Sequence, residues 1–318
     1  MDMKVLSLVN LTDHQRERIE KIPSVDLTVT APENVTAADL KDVEVLYNWS
    51  NSLKDDILKS SSLNWIQVVR AGVESLPLRE LSEKGITLTN GSGANSINIA
   101  EQTLAYMLIL MRNMNLSVLH QAKKEWKHDE PYNEVYGKTV MIVGVGHVGS
   151  KIAQYAKALG MKTVGVRRSD QTDVNIDEMI PMSDFKDGVK HANFVINALP
   201  DTEDTNGIFN AELFDEMSKK AFYINIGRGK TTNMDDLVSA LQEKKIAGAA
   251  LDVVTPEPLN EDSPLWDMKN VIITPHNAGM SVHYADRAFG IFKRNLKSYV
   301  ENGEVVENVV VFGKRVSD

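Results

Sequence analysis

The sequence predicts an α/β fold made of two doubly wound domains, each with a parallel sheet. Short apolar runs of strand type alternate with polar helical stretches over the first 90 residues, and the alternation resumes at Lys138 after one long helical segment. Such alternation is typical of parallel sheets that are covered by helices. The length of 318 residues also exceeds what one core usually supports, which indicates two domains.

The first series contains five strand candidates and four helical stretches. The strand candidates are short and apolar, whereas the helical stretches between them are polar. The predicted strands are Lys4–Val9, Leu27–Thr30, Val43–Trp49, Trp65–Ala71 and Ile86–Thr89. The predicted helices are Asp13–Lys21, Thr36–Lys41, Leu53–Ser60 and Leu76–Lys84. This order predicts a parallel sheet for the N-terminal part of the chain.

A long helix and a polar connector separate the two series. Asn95–His120 is rich in Leu, Ile and Met and lacks Gly and Pro, which predicts one helix, and Lys123–Asn133 is the connector. The second series has six strand candidates, the inventory of a complete doubly wound nucleotide-binding domain. They are Thr139–Val143, Lys162–Val166, Phe194–Leu199, Ala221–Ile226, Ala247–Val254 and Val271–Thr274. The tail predicts a helix over Val282–Val300 and a short strand or extended arm over Glu304–Phe312.

The composition argues against several classes of protein. The net charge of -9 disfavours nucleic acid as a partner, because an acidic surface repels phosphates. The absence of cysteine excludes disulfides, thiol nucleophiles and Cys-ligated metals, and no clustered His, Asp and Glu spacing predicts another metal site. No apolar run approaches the roughly 20 residues that cross a bilayer, and the N-terminus does not resemble a signal peptide. We therefore expect a cytoplasmic protein without a membrane partner.

A glycine-rich turn opens the second series. Gly144, Gly146 and Gly149 form the pattern G-x-G-x-x-G between a predicted strand and a helical run, Ser150–Leu159. The first glycine permits a tight turn, the second lets the backbone approach a pyrophosphate, and the third allows close packing of helix and strand. An ordinary tight turn could carry the same glycines, but the flanking strand and helix favour a bound dinucleotide. The residues expected to bind it here are Gly144, Gly146, His147, Val148 and Gly149.

The strand after this turn ends in two arginines. Arg167, Arg168 and Ser169 stand where NAD-binding proteins carry an acidic residue, about 20 positions after the turn, that bonds the ribose 2′-hydroxyl. Two guanidinium groups and a hydroxyl suit a 2′-phosphate instead. A solvated basic turn is the alternative. The position of the arginines favours the specific interpretation, so we expect NADP rather than NAD as the preferred cofactor.

Three polar side chains follow the last three predicted strands. They are Arg228, Glu257 and His276. Ligands of open parallel sheets bind beyond the carboxyl ends of the strands, so these side chains are expected to converge. Arginine can clamp a carboxylate, histidine can pass a proton near neutral pH, and a glutamate beside the histidine would hold its charged form. Each residue alone could be an ordinary surface or structural group, but together they predict the reduction of a 2-keto acid.

The chain resembles the D-isomer-specific 2-hydroxyacid dehydrogenases along nearly its whole length. Besides the glycine turn, the matching segments are Ala71–Glu74, Ile99–Glu101, Tyr106–Leu108, Tyr136–Val140, Asn197–Thr202, Ile224–Gly229, Ala250–Val253, Glu257–Leu259, Ser263–Trp266 and Thr274–Gly279. The sequence Ala-Gly-Val-Glu and the turn Arg-Arg-Ser resemble a branch that reduces glyoxylate or hydroxypyruvate. Two positions depart from the family: Gln102 stands where histidine or tyrosine is frequent, and Asn233 where an acidic residue is common.

The resemblance implies a domain organisation. Residues 96–285 would form a Rossmann NAD(P)-binding domain, whereas 1–95 and 286–318 would form a discontinuous, flavodoxin-like substrate domain. The helix around residues 95–120 would pair with its copy in a second subunit, which implies a homodimer.

The resemblance also implies roles for individual residues. Arg228 would orient the carboxylate and the carbonyl oxygen of the substrate, His276 would donate a proton to that oxygen, and Glu257 would hydrogen-bond His276. The substrate carboxylate would also bind backbone N–H groups of the smaller domain, in the segment Ala71, Gly72 and Val73. Asp252 would contact the carboxamide of the nicotinamide. The other residues implied near the cofactor are Leu199, Pro200, Asn225, Ile226, His276 and Ala278.

Two alternative functions have their own discriminating observations. A non-catalytic, dinucleotide-sensing regulatory protein could keep the fold, and the presence of Arg228, Glu257 and His276 argues against it. Cofactor binding without turnover of any keto acid would favour it. A formate dehydrogenase would share the fold but pair its histidine with glutamine, so Glu257 argues against that function. Formate-dependent reduction of NADP would favour it.

Overall fold

The chain forms two compact units in a computed structural model that describes residues 2–73, 75–129, 131–169 and 171–310. One unit comprises Met1–Ala94 and Ser281–Asp318, and the other is the continuous segment Asn95–Met280. The strands are β1 (Met3–Ser7), β2 (Val25–Val29), β3 (Val45–Tyr47), β4 (Trp65–Gln67), β5 (Thr87–Thr89), β6 (Thr139–Val143), β7 (Lys162–Arg167), β8 (Glu178–Pro181), β9 (Phe194–Asn197), β10 (Phe222–Asn225), β11 (Gly248–Leu251), β12 (Val271–Ile273) and β13 (Val309–Val310).

The helices connect these strands in chain order. They are α1 (Asp13–Glu20), α2 (Lys54–Lys59), α3 (Leu78–Glu83), α4 (Ser96–Arg112), α5 (Met114–Ala122), α6 (His147–Ala158), α7 (Phe185–Gly188), α8 (Ala211–Glu216), α9 (Met234–Gln242) and α10 (Tyr284–Asn302). None of the helices in the described ranges combines the length and the hydropathy that crossing a membrane requires.

The discontinuous unit contains a sheet in the order β2-β1-β3-β4-β5, all parallel, with β13 added antiparallel to β5. This strand order is the flavodoxin-like one, which confirms the predicted fold of the N-terminal part. Apolar side chains alternate between the two faces of the sheet and form two separate clusters. Helix α10 covers one face, where Phe292 stacks on Tyr47 with ring centroids 4.0 Å apart and also lies against Trp65.

The continuous unit contains a parallel sheet in the order β8-β7-β6-β9-β10-β11-β12. Numbered from β6, this is the Rossmann order 3-2-1-4-5-6 with a further strand at one edge, so the predicted doubly wound class is confirmed. Apolar clusters cover both faces of the sheet. Helices α4 and α6 pack together on one of them. In an open sheet of this order the loops after β6 and β9 separate at the switch point, which is where a ligand can enter.

The structure differs from the sequence prediction at one predicted helix and at one strand. Thr36–Lys41 is a series of turns and not a helix, because Thr36 donates from both its N–H and its hydroxyl to the carboxylate of Asp39, at 2.8 and 2.7 Å. Such local side-chain bonds compete with helical ones. The strand β8 was not predicted. It is a short edge strand that begins with Glu178 and ends with Pro181, and a polar sequence of this kind carries little of the apolar strand pattern.

The predicted helix Asn95–His120 is two helices that meet at Asn113. This residue has φ 51° and ψ 34°, the left-handed conformation, which Asn tolerates better than most residues. Its side-chain amide donates to the carbonyl oxygens of Asp129 (2.5 Å) and Pro131 (3.1 Å). The interruption therefore has a local cause, because Asn113 ends α4 and also anchors the polar connector that follows α5.

Candidate active site

The side chains Arg228, Glu257 and His276 lie in the loops that follow β10, β11 and β12. These three strands are neighbours in the sheet and run parallel, with Asn225 opposite Leu251 and Leu251 opposite Ile273. Their carboxyl ends therefore meet at one edge. The structure thus brings the three predicted catalytic side chains to adjacent loops of a single sheet.

Buried polar groups fix the backbone of Arg228. The side-chain amide of Asn225 donates to the carbonyl oxygen of Arg228 at 3.2 Å, and the hydroxyl of Thr231 donates to the same oxygen at 2.6 Å. The Arg228 side chain itself is exposed, and its guanidinium donates to the carbonyl oxygen of Gly227 at 2.8 Å. A fixed backbone with an exposed guanidinium suits a residue that receives a ligand.

Gly229 allows the loop after β10 to pack against the loop after β11. A Cβ atom at position 229 would collide with the carbonyl oxygen of Val254. Only glycine can occupy this position without moving one of the two loops. The two backbones therefore approach closely at Gly229 and Val254, which packs the loop of Arg228 against the loop that leads to Glu257.

His276 and Glu257 form a hydrogen-bonded pair. The distance from His276 Nδ1 to Glu257 Oε2 is 2.9 Å, and the other carboxylate oxygen accepts the N–H of Val254 at 3.2 Å. The His276 backbone is left-handed, with φ 50°, which is uncommon outside glycine. Because Glu257 accepts at Nδ1, the second ring nitrogen, Nε2, remains for a proton transfer. The pair is exposed to solvent, so its strength alone is modest.

Asp252 anchors the loop that carries His276. Its backbone carbonyl accepts the N–H of His276 at 2.9 Å. Its buried carboxylate accepts the Thr274 hydroxyl at 2.6 Å, the Asn277 N–H at 3.1 Å and the Ala278 N–H at 3.1 Å. The sequence led us to expect Asp252 at the nicotinamide carboxamide. The structure gives its carboxylate a further task, because three donors of the 274–278 segment converge on it.

The glycine turn joins β6 to α6 as a dinucleotide site requires. Gly144 has φ 104°, and a Cβ atom there would lie 2.8 Å from the carbonyl oxygen of Ala198. Helix α6 has Gly146 as its N-cap and no side chain that caps it. The N–H groups of Val148 and Gly149 donate to no other residue that the structure describes. His147 opens the helix and is exposed. These N–H donors at a helix N-terminus fit a pyrophosphate.

The other predicted cofactor residues lie in loops at the same edge. Arg167 ends β7 next to the glycine turn, since the Gly144 N–H donates to Val166 at 2.9 Å. In the described ranges, neither Arg167 nor Arg168 makes an ion pair or a side-chain hydrogen bond. The remaining predicted positions are exposed Ser169 and Pro200, and buried Leu199, Ile226 and Ala278.

The predicted substrate segment Ala71, Gly72 and Val73 lies in the discontinuous unit, after β4. The side-chain amide of Asn90 donates to the carbonyl oxygen of Ala71 at 2.8 Å and fixes the turn. Within the described part of the chain, the N–H groups of Gly72 and Val73 donate to no other residue. They are therefore available donors for an anion.

Sequence reasoning missed the side chains that surround Asp252. Gln102 was noted only as a departure from the family pattern, and Tyr106 and Thr274 were noted only as parts of matching segments. All three form one hydrogen-bonded group with Asp252. Polar residues four positions apart in the apolar helix α4 were the available signal. No group of metal-ligating side chains occurs among the described residues.

Comparison with known proteins gives consistent matches. The profile of the family described as D-isomer specific 2-hydroxyacid dehydrogenase, NAD binding domain, matches residues 104–278. The D-3-phosphoglycerate dehydrogenase of Methanocaldococcus jannaschii is 31% identical over 312 residues, which cover 97% of this chain and 59% of that protein. The chain thus spans less than two thirds of the length of this relative.

Two further relatives have lengths closer to that of this chain. Glyoxylate/hydroxypyruvate reductase A of Photorhabdus laumondii is 31% identical over 262 residues, which cover 79% of this chain and 80% of that protein. The crystal structure of a D-isomer specific 2-hydroxyacid dehydrogenase family protein from Aeromonas salmonicida matches with a TM-score of 0.79 at 28% identity, covering 98% of this chain and 100% of that one. The chain therefore belongs to the D-isomer-specific 2-hydroxyacid dehydrogenases, oxidoreductases that act on CH–OH donors and use a nicotinamide dinucleotide.

Proposed function

We propose that this chain reduces a small 2-keto acid, such as glyoxylate or hydroxypyruvate, to the D-2-hydroxy acid, with NADPH as the preferred cofactor. The observation that carries the proposal is the His276–Glu257 pair, joined at 2.9 Å, at the sheet edge that also presents Arg228 and the glycine turn. A proton donor, a carboxylate clamp and a dinucleotide-type turn on one edge are what this reaction needs.

The reaction assigns one task to each side chain. The reduced nicotinamide, when bound, supplies a hydride to the carbonyl carbon, and negative charge then builds on the carbonyl oxygen. Protonated His276 gives its Nε2 proton to that oxygen, and Glu257 at Nδ1 stabilises the imidazolium beforehand. Arg228 holds the substrate carboxylate and offsets the developing charge on the oxygen. A positioned general acid typically contributes about 10²–10⁴ in rate.

The described residues also support the cofactor assignment. The uncapped N-terminus of α6 offers the N–H groups of Val148 and Gly149 to a pyrophosphate. Arg167 and Arg168 have no carboxylate partner in the described ranges, so both guanidinium groups are available for a 2′-phosphate. Position 167 carries an arginine, whereas NAD-binding proteins carry an acidic residue there that bonds the ribose 2′-hydroxyl.

The small size of the substrate is part of the proposal. We assign the dinucleotide to the domain 96–285, and we propose the Gly72 and Val73 N–H groups of the domain 1–95 plus 286–318 as donors to an anion. One relative is named a glyoxylate/hydroxypyruvate reductase, which supports a small keto acid, whereas another is named a D-3-phosphoglycerate dehydrogenase. A phosphorylated substrate is therefore the competing member of the same class.

A homodimer built around α4 and α5 is also proposed. Helix α5 has no buried residue in its own chain, although Met114, Val118 and Leu119 are apolar. These side chains are 51%, 64% and 48% exposed. An isolated helix of this length is not stable in water, so most of its stability must come from packing of an apolar face. A second copy of the chain would supply that packing.

A spectrophotometric panel tests the proposed function. We expect purified protein to oxidise NADPH when glyoxylate or hydroxypyruvate is added, and to do so with a higher kcat/KM than with NADH. The panel also includes 3-phosphohydroxypyruvate, and formate with NADP. Turnover of the phosphorylated acid alone would overturn the small-substrate assignment. Cofactor binding without any turnover would favour the regulatory protein.

Variants locate the chemistry at the proposed side chains. We expect Arg228→Gln and His276→Gln each to lower kcat/KM by about 10²-fold or more, because each removes a charge that the transition state needs. The matched controls are Arg79→Gln and His14→Gln, both at exposed helical positions of the other unit. Full activity in His276→Gln would overturn the mechanism.

A further inference from the structure

One face of α4 carries polar side chains that contact residues 274–278, the loop that carries His276. Asn98, Gln102 and Tyr106 stand four residues apart, so they lie on the same side of the helix. The amide of Asn98 donates to the carbonyl oxygen of Ala278 at 2.6 Å, and Gln102 and Tyr106 reach the hydroxyl of Thr274 at 3.2 and 2.5 Å. The rest of α4 is largely apolar and buried against its own unit.

The hydrogen bonds around Gln102 have a defined direction. The carboxylate of Asp252 only accepts, so the Thr274 hydroxyl must donate to it, at 2.6 Å. The Thr274 proton is then used, so the Tyr106 hydroxyl donates to Thr274. The Gln102 amide in turn donates to Tyr106 at 2.5 Å. Burial raises the pKa of Tyr106, which keeps this phenol in its donating form. The chain of donors therefore runs from Gln102 to Asp252.

Asp252, the last acceptor in this series of hydrogen bonds, also anchors the loop that carries His276. Asp252 holds the 274–278 segment through its carboxylate and accepts the His276 N–H through its backbone. The Gln102 amide also lies 3.3 Å from the Asp252 carboxylate and 3.2 Å from the side-chain oxygen of Asn277. Gln102 thus contacts Asp252, Thr274 and Asn277 as well as Tyr106. His276 needs this support, since its left-handed backbone is not the intrinsically favoured one.

We propose that Gln102 is a positioning residue for the proton transfer. Gln102 holds the loop that carries His276 in place through Tyr106, Thr274 and Asp252. The proposal rests on the function proposed above. Gln102 acts only through other residues, so its loss should slow the chemical step without weakening substrate binding. In this proposal, α4 positions the loop of residues 274–278.

Two substitutions test the proposal with matched controls. Gln102→Leu removes the amide at similar volume, and Tyr106→Phe removes only the hydroxyl in the middle of the chain. The controls are Gln242→Leu, at the exposed end of α9, and Tyr155→Phe on α6. Neither control side chain makes a hydrogen bond to another residue in the described ranges. Thermal unfolding identifies folded variants, and Tyr106→Phe keeps the test decisive if Gln102→Leu does not fold.

The readouts are kcat, KM for the keto acid and amide hydrogen exchange of residues 274–280. We expect Gln102→Leu to lower kcat by about 10-fold or more with KM within about twofold, because small misplacements of a catalytic group are costly. Exchange of 274–280 should speed up, because the loop loses the contacts with Gln102. Tyr106→Phe should act in the same direction. Gln102→His, which restores an N–H donor, should recover part of kcat.

Different outcomes separate this inference from the proposed function. A change confined to KM would show that Gln102 touches the substrate and would overturn the inference, as would values equal to those of Gln242→Leu. If the wild-type protein turns over no keto acid, the proposed function fails while hydrogen exchange still decides the positioning. Faster exchange of 274–280 in Gln102→Leu than in Gln242→Leu supports it, and equal exchange overturns it.

Discussion

His276 is held by contacts to its ring and to its backbone. Glu257 accepts at Nδ1, the Asp252 carbonyl accepts the backbone N–H, and the neighbouring N–H groups of Asn277 and Ala278 bond to the Asp252 carboxylate. The position of His276 therefore depends on Glu257 and on both the backbone and the carboxylate of Asp252.

Substitution of Glu257 should slow the reduction. The Glu257 carboxylate lies 2.9 Å from His276 Nδ1 and so orients the imidazole ring. For Glu257→Gln we expect kcat to fall by roughly 10-fold, a smaller loss than for His276 itself, since the pair is exposed.

Steady-state kinetics of Glu257→Gln would measure this loss, with Glu261→Gln as the control. Glu261 is exposed, lies in the same loop region and makes no ion pair with another described residue. A Glu257→Gln variant with the wild-type kcat would show that Glu257 does not position His276 for the reaction.

The convergence of the three proposed catalytic side chains was predictable from the sequence, but the contacts that support them were not. Arg228, Glu257 and His276 each follow an apolar strand, and this local pattern can be read from the sequence alone. The contact of Gln102 with Asp252 joins residues that are 150 positions apart. No local pattern specifies such a contact, because it depends on how α4 packs on the sheet.

At the level of elements, α4 and α5 show where local chemistry overrides composition. The segment lacks Gly and Pro, which predicted one continuous helix, yet Asn113 turns left-handed and divides it. Side-chain hydrogen bonds to the connector stabilise this conformation of Asn113. The acceptors of these bonds, the carbonyl oxygens of Asp129 and Pro131, cannot be identified from helix propensity. The predicted helix at Thr36 failed for the same reason, since side-chain bonds within a turn replaced helical ones.

Substitutions at Asn113 separate its conformation from its hydrogen bonds. Asn113→Gly removes both side-chain bonds but keeps access to the left-handed region. Asn113→Ala removes the same bonds and adds a strained backbone, so we expect it to be less stable than Asn113→Gly by about 1 kcal/mol. Urea unfolding of the two variants measures this difference directly. Equal stability, or a more stable Asn113→Ala, would mean that the helix continues through position 113.

At the scale of the whole molecule, strand order follows from the alternation of strands and helices. The order β2-β1-β3-β4-β5 and the Rossmann order of the second sheet both belong to the predicted doubly wound class. At the sheet edges, β8 was not predicted because it is short and polar, whereas a strand in the tail was predicted but its antiparallel direction beside β5 was not. Edge strands contribute few buried side chains, so their sequences carry a weak signal.

The proposed dimer can be tested with one charged side chain. Val118 is 64% exposed on α5, and burial of a glutamate there would be costly, so we expect Val118→Glu to be monomeric in sedimentation velocity where the wild-type protein is dimeric. The control is Val174→Glu, because Val174 is 91% exposed in the same unit but lies far from α5 in sequence. A dimer that survives Val118→Glu, or a monomeric wild type, would overturn the proposed interface.

The insertion of one unit within the other has a consequence for synthesis. The aromatic side chains Phe289 and Phe292 cover one face of the first sheet, yet they follow the entire second unit in the chain. A ribosome that has made β1–β5 must therefore complete β6–β12 before it delivers α10. Until then the N-terminal sheet lacks the residues that cover Tyr47 and Trp65. The continuous unit can thus complete its fold first, although its synthesis begins later.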